Sequence, residues 1–379
     1  MTIPLFRDTT SALAPFRDPD KTFGQFLEEK WTAVCRGLGI SGSETARVLQ
    51  DLRDVLSPWG ARPIGTRCNP PSFVSTDGFP AELSVSWKAG RPEVRILFES
   101  LSFDRTPLGC QEAGRELTLR LAERPGVSIE RHLDVEDLFV TPRPGLNRPT
   151  VWHSLAWQPG ERPHYKVYLN PQAHGPDHTH EVMAEAMHRL GLAEAWEPVG
   201  RRCGELARRG HEVEFFALDL DGGSASRVKV YFRHLPMPMD ELDTVAALSH
   251  RHDSARAARA RAVIYGRDGG TVDNEPMTCL AFREGATGPE EANVYLRLPG
   301  NTRSDAEAAG RIAELMRIEG VDPRPHAEVL RQLTAGLPGG ESGVQELCSY
   351  RTIAPGTPAH IGLYLRFNTY GTVPTAPTA

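Results

Sequence analysis

Short stretches of strict alternation between apolar and polar positions recur five times along the chain, each a pair of segments joined by a Gly- or Pro-rich turn. Period-two alternation places successive side chains on opposite faces of a strand, and a short turn between two such segments makes a hairpin. The five hairpins fall at 82–100, 151–170, 213–235, 277–299 and 344–368. Between them the pattern lengthens to that of helices, over roughly 22–57, 108–124, 178–208, 238–264 and 303–336, with Asp177 and Asn301 as expected N-caps. Five hairpins supply ten antiparallel strands. A flat sheet of that width leaves two long unpaired edges, and closure removes both. The expected fold class is therefore α+β, a ten-stranded antiparallel β-barrel surrounded by helices. It forms a single domain over residues 1–379, with loosely ordered ends at about 1–20 and 371–379.

The two faces of the second strands differ in chemistry. Arg227, Lys229 and Tyr231 share one face while Val228, Val230 and Phe232 share the other. Lys166 and Tyr168 oppose Tyr165, Val167 and Leu169; Asn293, Tyr295 and Arg297 oppose Val294, Leu296 and Leu298; Tyr364 and Arg366 oppose Leu363, Leu365 and Phe367. A solvated sheet face also carries cations, but it mixes them with acids, and these four matching stretches show none. The first hairpin departs, since Glu93 and Glu99 share the face of Arg95. Cations spaced with tyrosines on one face suit an enclosed anionic ligand beside a cationic or aromatic one. Lys and Arg neutralise phosphate oxygens, tyrosine hydroxyls bond them, and tyrosine rings shield a carbocation.

Composition sharpens this reading. Only five of the 43 basic residues are lysines, and Lys166 and Lys229 occupy matching places in sister strands. The net charge of −6 disfavours a nucleic-acid binder. No run of 18 apolar residues exists for a membrane span, and the first residues lack the basic-then-apolar pattern of a signal peptide, so a cytoplasmic protein is expected. The six cysteines contain no CxxC pair, which points to reduced thiols rather than a disulfide framework or zinc site.

At these residues the sequence resembles the dimethylallyltryptophan synthase family of aromatic prenyltransferases, over about residues 70–370. The triplet Arg227-x-Lys229-x-Tyr231, preceded by Lys166-x-Tyr168, Arg95 and Glu82, carries the resemblance. It implies a barrel of ten antiparallel strands inside a ring of helices, built of α-β-β-α units. Arg95, Lys166, Tyr168, Arg227, Lys229, Tyr231, Asn293 and Tyr295 would then hold the diphosphate of dimethylallyl diphosphate, with Tyr350 and Tyr364 completing the shield around the cation. Glu82 would accept the indole N–H hydrogen bond, and a proton-accepting position falls near His153. In fungal members an arginine and a tyrosine hold the amino-acid carboxylate; by spacing, Glu214 and Asn170 stand there in this chain.

The resemblance implies electrophilic transfer of a dimethylallyl group to the indole of L-tryptophan, with C6 favoured, without cofactor or metal, and with these two small molecules as the partners. The alternatives are a prenyltransferase acting on a phenol, quinone or indole-containing peptide, and a non-catalytic barrel that binds an anion. Competing motifs are weaker. Asp134, Glu136 and Asp137 lack DDxxD spacing, and His178, His180 and His188 lack that of HExxH.

Overall fold

The computed structural model describes residues 18–66, 71–88, 90–145, 149–223, 225–335, 343–367 and 369–370. The expected loose ends thus lie almost wholly outside the described residues. All five hairpins are present: β1 (Ala81–Lys88) with β2 (Arg91–Phe98), β3 (Val151–Trp157) with β4 (His164–Leu169), β5 (His211–Asp219) with β6 (Val228–His234), β9 (Met277–Phe282) with β10 (Glu291–Arg297), and β11 (Gln345–Arg351) with β12 (His360–Leu365). A small ribbon of β7 (Met237–Pro238) and β8 (Thr271–Val272) stands apart. Each barrel strand pairs antiparallel with its neighbours in sequence, and β12 closes on β1 through pairs such as Leu83↔Leu365 and Val85↔Leu363.

Alternation decides what each face does. Val94, Ile96, Val167, Val230, Phe282, Leu296 and Leu363 point outward and are almost completely buried beneath the helices. Their core is continuous with the helical residues Leu27, Trp31, Leu52, Leu117, Ile312 and Val329. The polar faces point inward, so the cation- and tyrosine-bearing sides of the strands line the barrel rather than meet solvent. Lys166 is 5 % exposed and Tyr231 6 %.

Helix ends follow local rules, with shifts from the expected positions. Thr22 and Gln25 form a reciprocal capping box at the start of Phe23–Gly37. The cap of Asp305–Ile318 is Ser304, which accepts from Glu307 N, rather than Asn301. Asp177 lies in a 3-10 turn, Pro176–His178, before the helix Thr179–Arg189 instead of capping it. The stretch expected as one helix over 178–208 breaks into Thr179–Arg189, Ala193–Gly200 and Cys203–Arg208. The first long helix crosses the last, Arg324–Leu333, at Gly37, where a Cβ would sit 2.6 Å from Val329 Cα. Among the described residues, no helix is long and apolar enough to cross a membrane.

Candidate active site

The lumen is stratified because inward positions recur at the same height on adjacent strands. Its middle is an aromatic belt: Trp152 stacks on Tyr168 at a centroid distance of 6.1 Å. Tyr168 meets Tyr231 at 6.0 Å, Tyr231 meets Tyr295 at 6.0 Å, and Tyr295 meets Tyr364 at 5.5 Å. These rings come mostly from second strands. The strands between them present small inward residues, Ser84, Ser154, Ala217, Cys279 and Ser349, which leave the space open. Above the belt lies a cavity with an empty volume of about 1080 Å³, counted with its open mouth. Glu82, Arg95, Leu97, Phe215, Met277 and Leu347 are among its walls, together with the belt rings.

One pleat below the belt, cations gather at the hairpin-turn end. Arg95 Nη2 lies 2.5 Å from Glu93, and its Nη1 donates to Tyr364 Oη at 3.3 Å. Lys166 pairs with Asp219, and Arg227 Nε donates to the same carboxylate at 2.7 Å. Arg351 pairs with Glu291, which also lies 3.9 Å from Arg227. Lys88 pairs with Glu93. Lys229 faces Ala217 and Ala281 across its two neighbouring strands, so adjacent side chains leave it uncovered within the lumen. Burial, with Arg227 and Lys166 nearby, holds its pKa well below the usual lysine value. Burial likewise lowers Lys166 to about 8, against the pull of Asp219. When protonated, Lys88, Arg95, Lys166, Arg227, Lys229 and Arg351 outnumber Glu93, Asp219 and Glu291 by three positive charges. A trianionic diphosphate matches that excess.

The carboxylates among these cations correct the sequence expectation of an acid-free face. Asp219 lies at the end of β5, and Glu291 begins β10 one residue before the stretch that defined its face. From below the belt Arg95 reaches Tyr364 and lines the cavity together with Tyr168, Tyr231 and Tyr295, whereas Lys166, Arg227, Lys229 and Asn293 belong to inward positions nearer the turns.

Two expected site residues point away from the lumen. His153 faces outward between Trp152 and Ser154; it stacks on Phe98 at 6.1 Å and its Nε2 shares a 2.8 Å hydrogen bond with Thr118 Oγ1 on the helix Pro107–Leu121. Burial, with His132 and Arg120 nearby, lowers its pKa to about 3 and keeps it neutral. Tyr350 also faces outward and donates to Glu319 at 2.8 Å, because a bulge between Gln345 and Leu347 resets the parity of β11. Neither reaches the belt. His153→Ala should therefore leave kcat within about threefold while lowering stability by roughly 1–3 kcal/mol, a contrast read by kinetics beside a melting curve.

Glu82 faces the cavity on β1, opposite Leu97. Burial raises its pKa to about 8, reinforced by Glu346 and opposed by Arg297 and Arg95. Asn170 accepts from Gln172 N at 2.9 Å and is not part of the cavity wall, whereas Glu214 is. His180 bonds Gly200 O at 3.1 Å, Asp137 pairs with Arg189, and Glu136 with Arg115. Among the described residues, no group of three or more His, Cys, Asp or Glu is placed to hold a metal ion. Five cysteines are free thiols, and Cys68 lies outside the described residues.

Arg351 and Arg233 also face the lumen and had no place among the sequence expectations. The latter had a legible signal: Tyr-x-Arg occurs in three second strands, as Tyr231–Arg233, Tyr295–Arg297 and Tyr364–Arg366. Each places a belt ring and, one pleat higher, an arginine in the cavity wall.

A closed antiparallel barrel with a cationic floor, a tyrosine belt and a carboxylate above it defines an aromatic prenyltransferase site. The family model for tryptophan dimethylallyltransferase matches residues 46–325, and the chain belongs to that family; it is a prenyltransferase. It is similar to 6-dimethylallyltryptophan synthase from Micromonospora olivasterospora, solved with DMASPP and Trp, at 29 % identity and TM-score 0.81, covering 93 % of this chain and 99 % of the other. It is also similar to 5-dimethylallyl tryptophan synthase from Streptomyces coelicolor at 25 % identity and TM-score 0.80, covering 95 % and 99 %. AnaPT from Neosartorya fischeri shares the fold at 16 % identity and TM-score 0.71, covering 91 % and 93 %.

Proposed function

We propose that this enzyme transfers the dimethylallyl group of dimethylallyl diphosphate to C6 of the indole of L-tryptophan. The observation that carries the reading is the vertical order of the lumen: excess positive charge below, aromatic belt between, Glu82 above. The likeness to a 6-dimethylallyltryptophan synthase supports the position of attack.

The donor's diphosphate sits among Lys166, Arg227, Lys229 and Arg95, with its isoprenyl carbons among Tyr168, Tyr231, Tyr295 and Tyr364. The C1–O bond breaks and its electron pair leaves with the diphosphate, whose charge the cations neutralise in a water-poor site. The allyl cation faces tyrosine rings, which stabilise it without offering an attacking water. Ionised Glu82 accepts the indole N–H and pushes electron density into the ring. A ring carbon attacks C1, and the ring proton then passes to the departed diphosphate, so aromaticity returns. Side-chain cations do the neutralising that a divalent ion performs in carboxylate-based prenyl synthases.

The test is incubation of L-tryptophan with the donor in excess EDTA, with the product read by NMR. Turnover is expected to persist, with the new carbon–carbon bond at C6. Activity confined to phenols or quinones would reject the acceptor. Loss in EDTA that magnesium restores would reject the cationic clamp.

A further inference from the structure

Two β-bulges interrupt the barrel at its mouth, and each turns a glutamate into the cavity. On β5 the register shifts between Val213 and Phe215, so Glu214 and Phe215 both line the wall. On β11 it shifts between Gln345 and Leu347, with the same result for Glu346 and Leu347. A bulge costs a ladder position and re-aims a side chain, and bulges concentrate beside binding sites. The cavity wall also carries Arg233, Arg297 and Arg366 from the three Tyr-x-Arg strands.

These charges are segregated. Around Arg233 stand three carboxylates, Glu212 at 2.6 Å and Glu214 and Glu275 each at 3.4 Å, giving a negative pole. Around Glu346 stand two guanidinium groups, Arg297 at 2.8 Å and Arg366 at 3.4 Å, giving a positive pole. The poles are contiguous through Glu275, whose carboxylate faces Arg233 while its backbone carbonyl accepts from Arg297 Nε at 3.0 Å. Glu275 holds a left-handed backbone, φ +51°, that non-glycine residues seldom adopt. Both poles share the cavity with Glu82.

We infer that the mouth is a zwitterion clamp for the free amino acid, with Arg297 and Arg366 taking the α-carboxylate and Glu214 the α-ammonium. The inference rests on tryptophan being the acceptor, and it accounts for an acid at 214. A planar guanidinium matches a carboxylate in a two-bond fork, and a bulged carboxylate beside an acid-rich pole suits an ammonium group. An acceptor lacking either charge leaves one pole unanswered, so N-capped or C-capped tryptophan residues within peptides are disfavoured.

Three acceptors separate the poles: L-tryptophan, tryptamine, which lacks the carboxylate, and indole-3-propionate, which lacks the ammonium. Arg366→Gln, which removes a cation of this pole other than those acting on Glu82, should lower kcat/KM about 5- to 30-fold for L-tryptophan and indole-3-propionate and spare tryptamine. Glu214→Gln should lower it by a similar factor for L-tryptophan and tryptamine and spare indole-3-propionate. Equal losses on all three acceptors, or the reverse pattern, would overturn the inference while leaving tryptophan prenylation intact. A wild-type enzyme inert toward L-tryptophan but active on another aromatic would overturn the acceptor assignment and the clamp together. Should a variant fail to fold, wild-type kinetics decide: the clamp requires L-tryptophan to exceed both truncated acceptors, and parity with either would overturn it.

Discussion

Lys229→Ala is expected to slow turnover roughly 10- to 150-fold, the value of one charge-assisted hydrogen bond of about 1.5–3 kcal/mol lost from the ionisation step. Lys229 stands between Arg227 and Tyr231 on the inward face, with only Ala217 and Ala281 opposite it. Among the described residues it is held by no ion pair, and burial with Arg227 and Lys166 nearby disfavours its proton. A diphosphate reverses that balance, because it supplies the negative charge that the lysine lacks. Removing the side chain should therefore leave the melting temperature unchanged or raise it, since a desolvated like-charge neighbour disappears. Lys229→Arg should restore part of the rate, as a planar fork replaces a point charge. A well-folded alanine variant with wild-type kcat and wild-type donor KM would take Lys229 out of the clamp and remove the main support for a metal-free mechanism.

The second large effect concerns Glu82 and pH. Burial lifts its carboxyl to about 8, with Glu346 adding to the shift and Arg297 and Arg95 opposing it. Only the ionised form accepts the indole N–H well, so kcat/KM for the acceptor should climb with pH and level off above about 8. Glu82→Gln should lose that limb and fall roughly 10- to 150-fold below wild type on the plateau. Stability moves the other way. A carboxyl whose folded pKa exceeds its ordinary 4.5 contributes stability that is full below 4.5 and is lost as pH rises through about 8. The permanently neutral glutamine should thus melt higher than wild type at pH 9 and show no such gain at pH 5. On the proposed assignment of Lys166 to the diphosphate, its lowering to about 8 means that kcat/KM for the donor should decline as pH rises through that value. Retention of the rising acceptor limb in Glu82→Gln would assign it to another group and sink the role of Glu82.

The hairpins, the closure and the inward chemistry follow from the local pattern of residues. Period-two alternation is a local property: Arg227, Lys229 and Tyr231 share a face wherever that strand lies. A run of ten such segments with apolar outer faces has few ways to bury them other than a barrel beneath helices. The belt was equally legible, since Tyr168, Tyr231, Tyr295 and Tyr364 all fall on the polar faces of the second strands of four hairpins. The tertiary structure alone decided what meets across strands. Asp219 lies 53 residues from Lys166, and only the β4–β5 register makes them partners. Parity decided His153 and Tyr350: a shift of one residue moves a side chain from lumen to core, and the bulge that turned Glu346 inward sent Tyr350 outward. The two poles at the mouth were beyond the sequence for the same reason. A bulge leaves no mark on residue identity, and an arginine's charge becomes a site only when the strands beside it decide which carboxylates it must share.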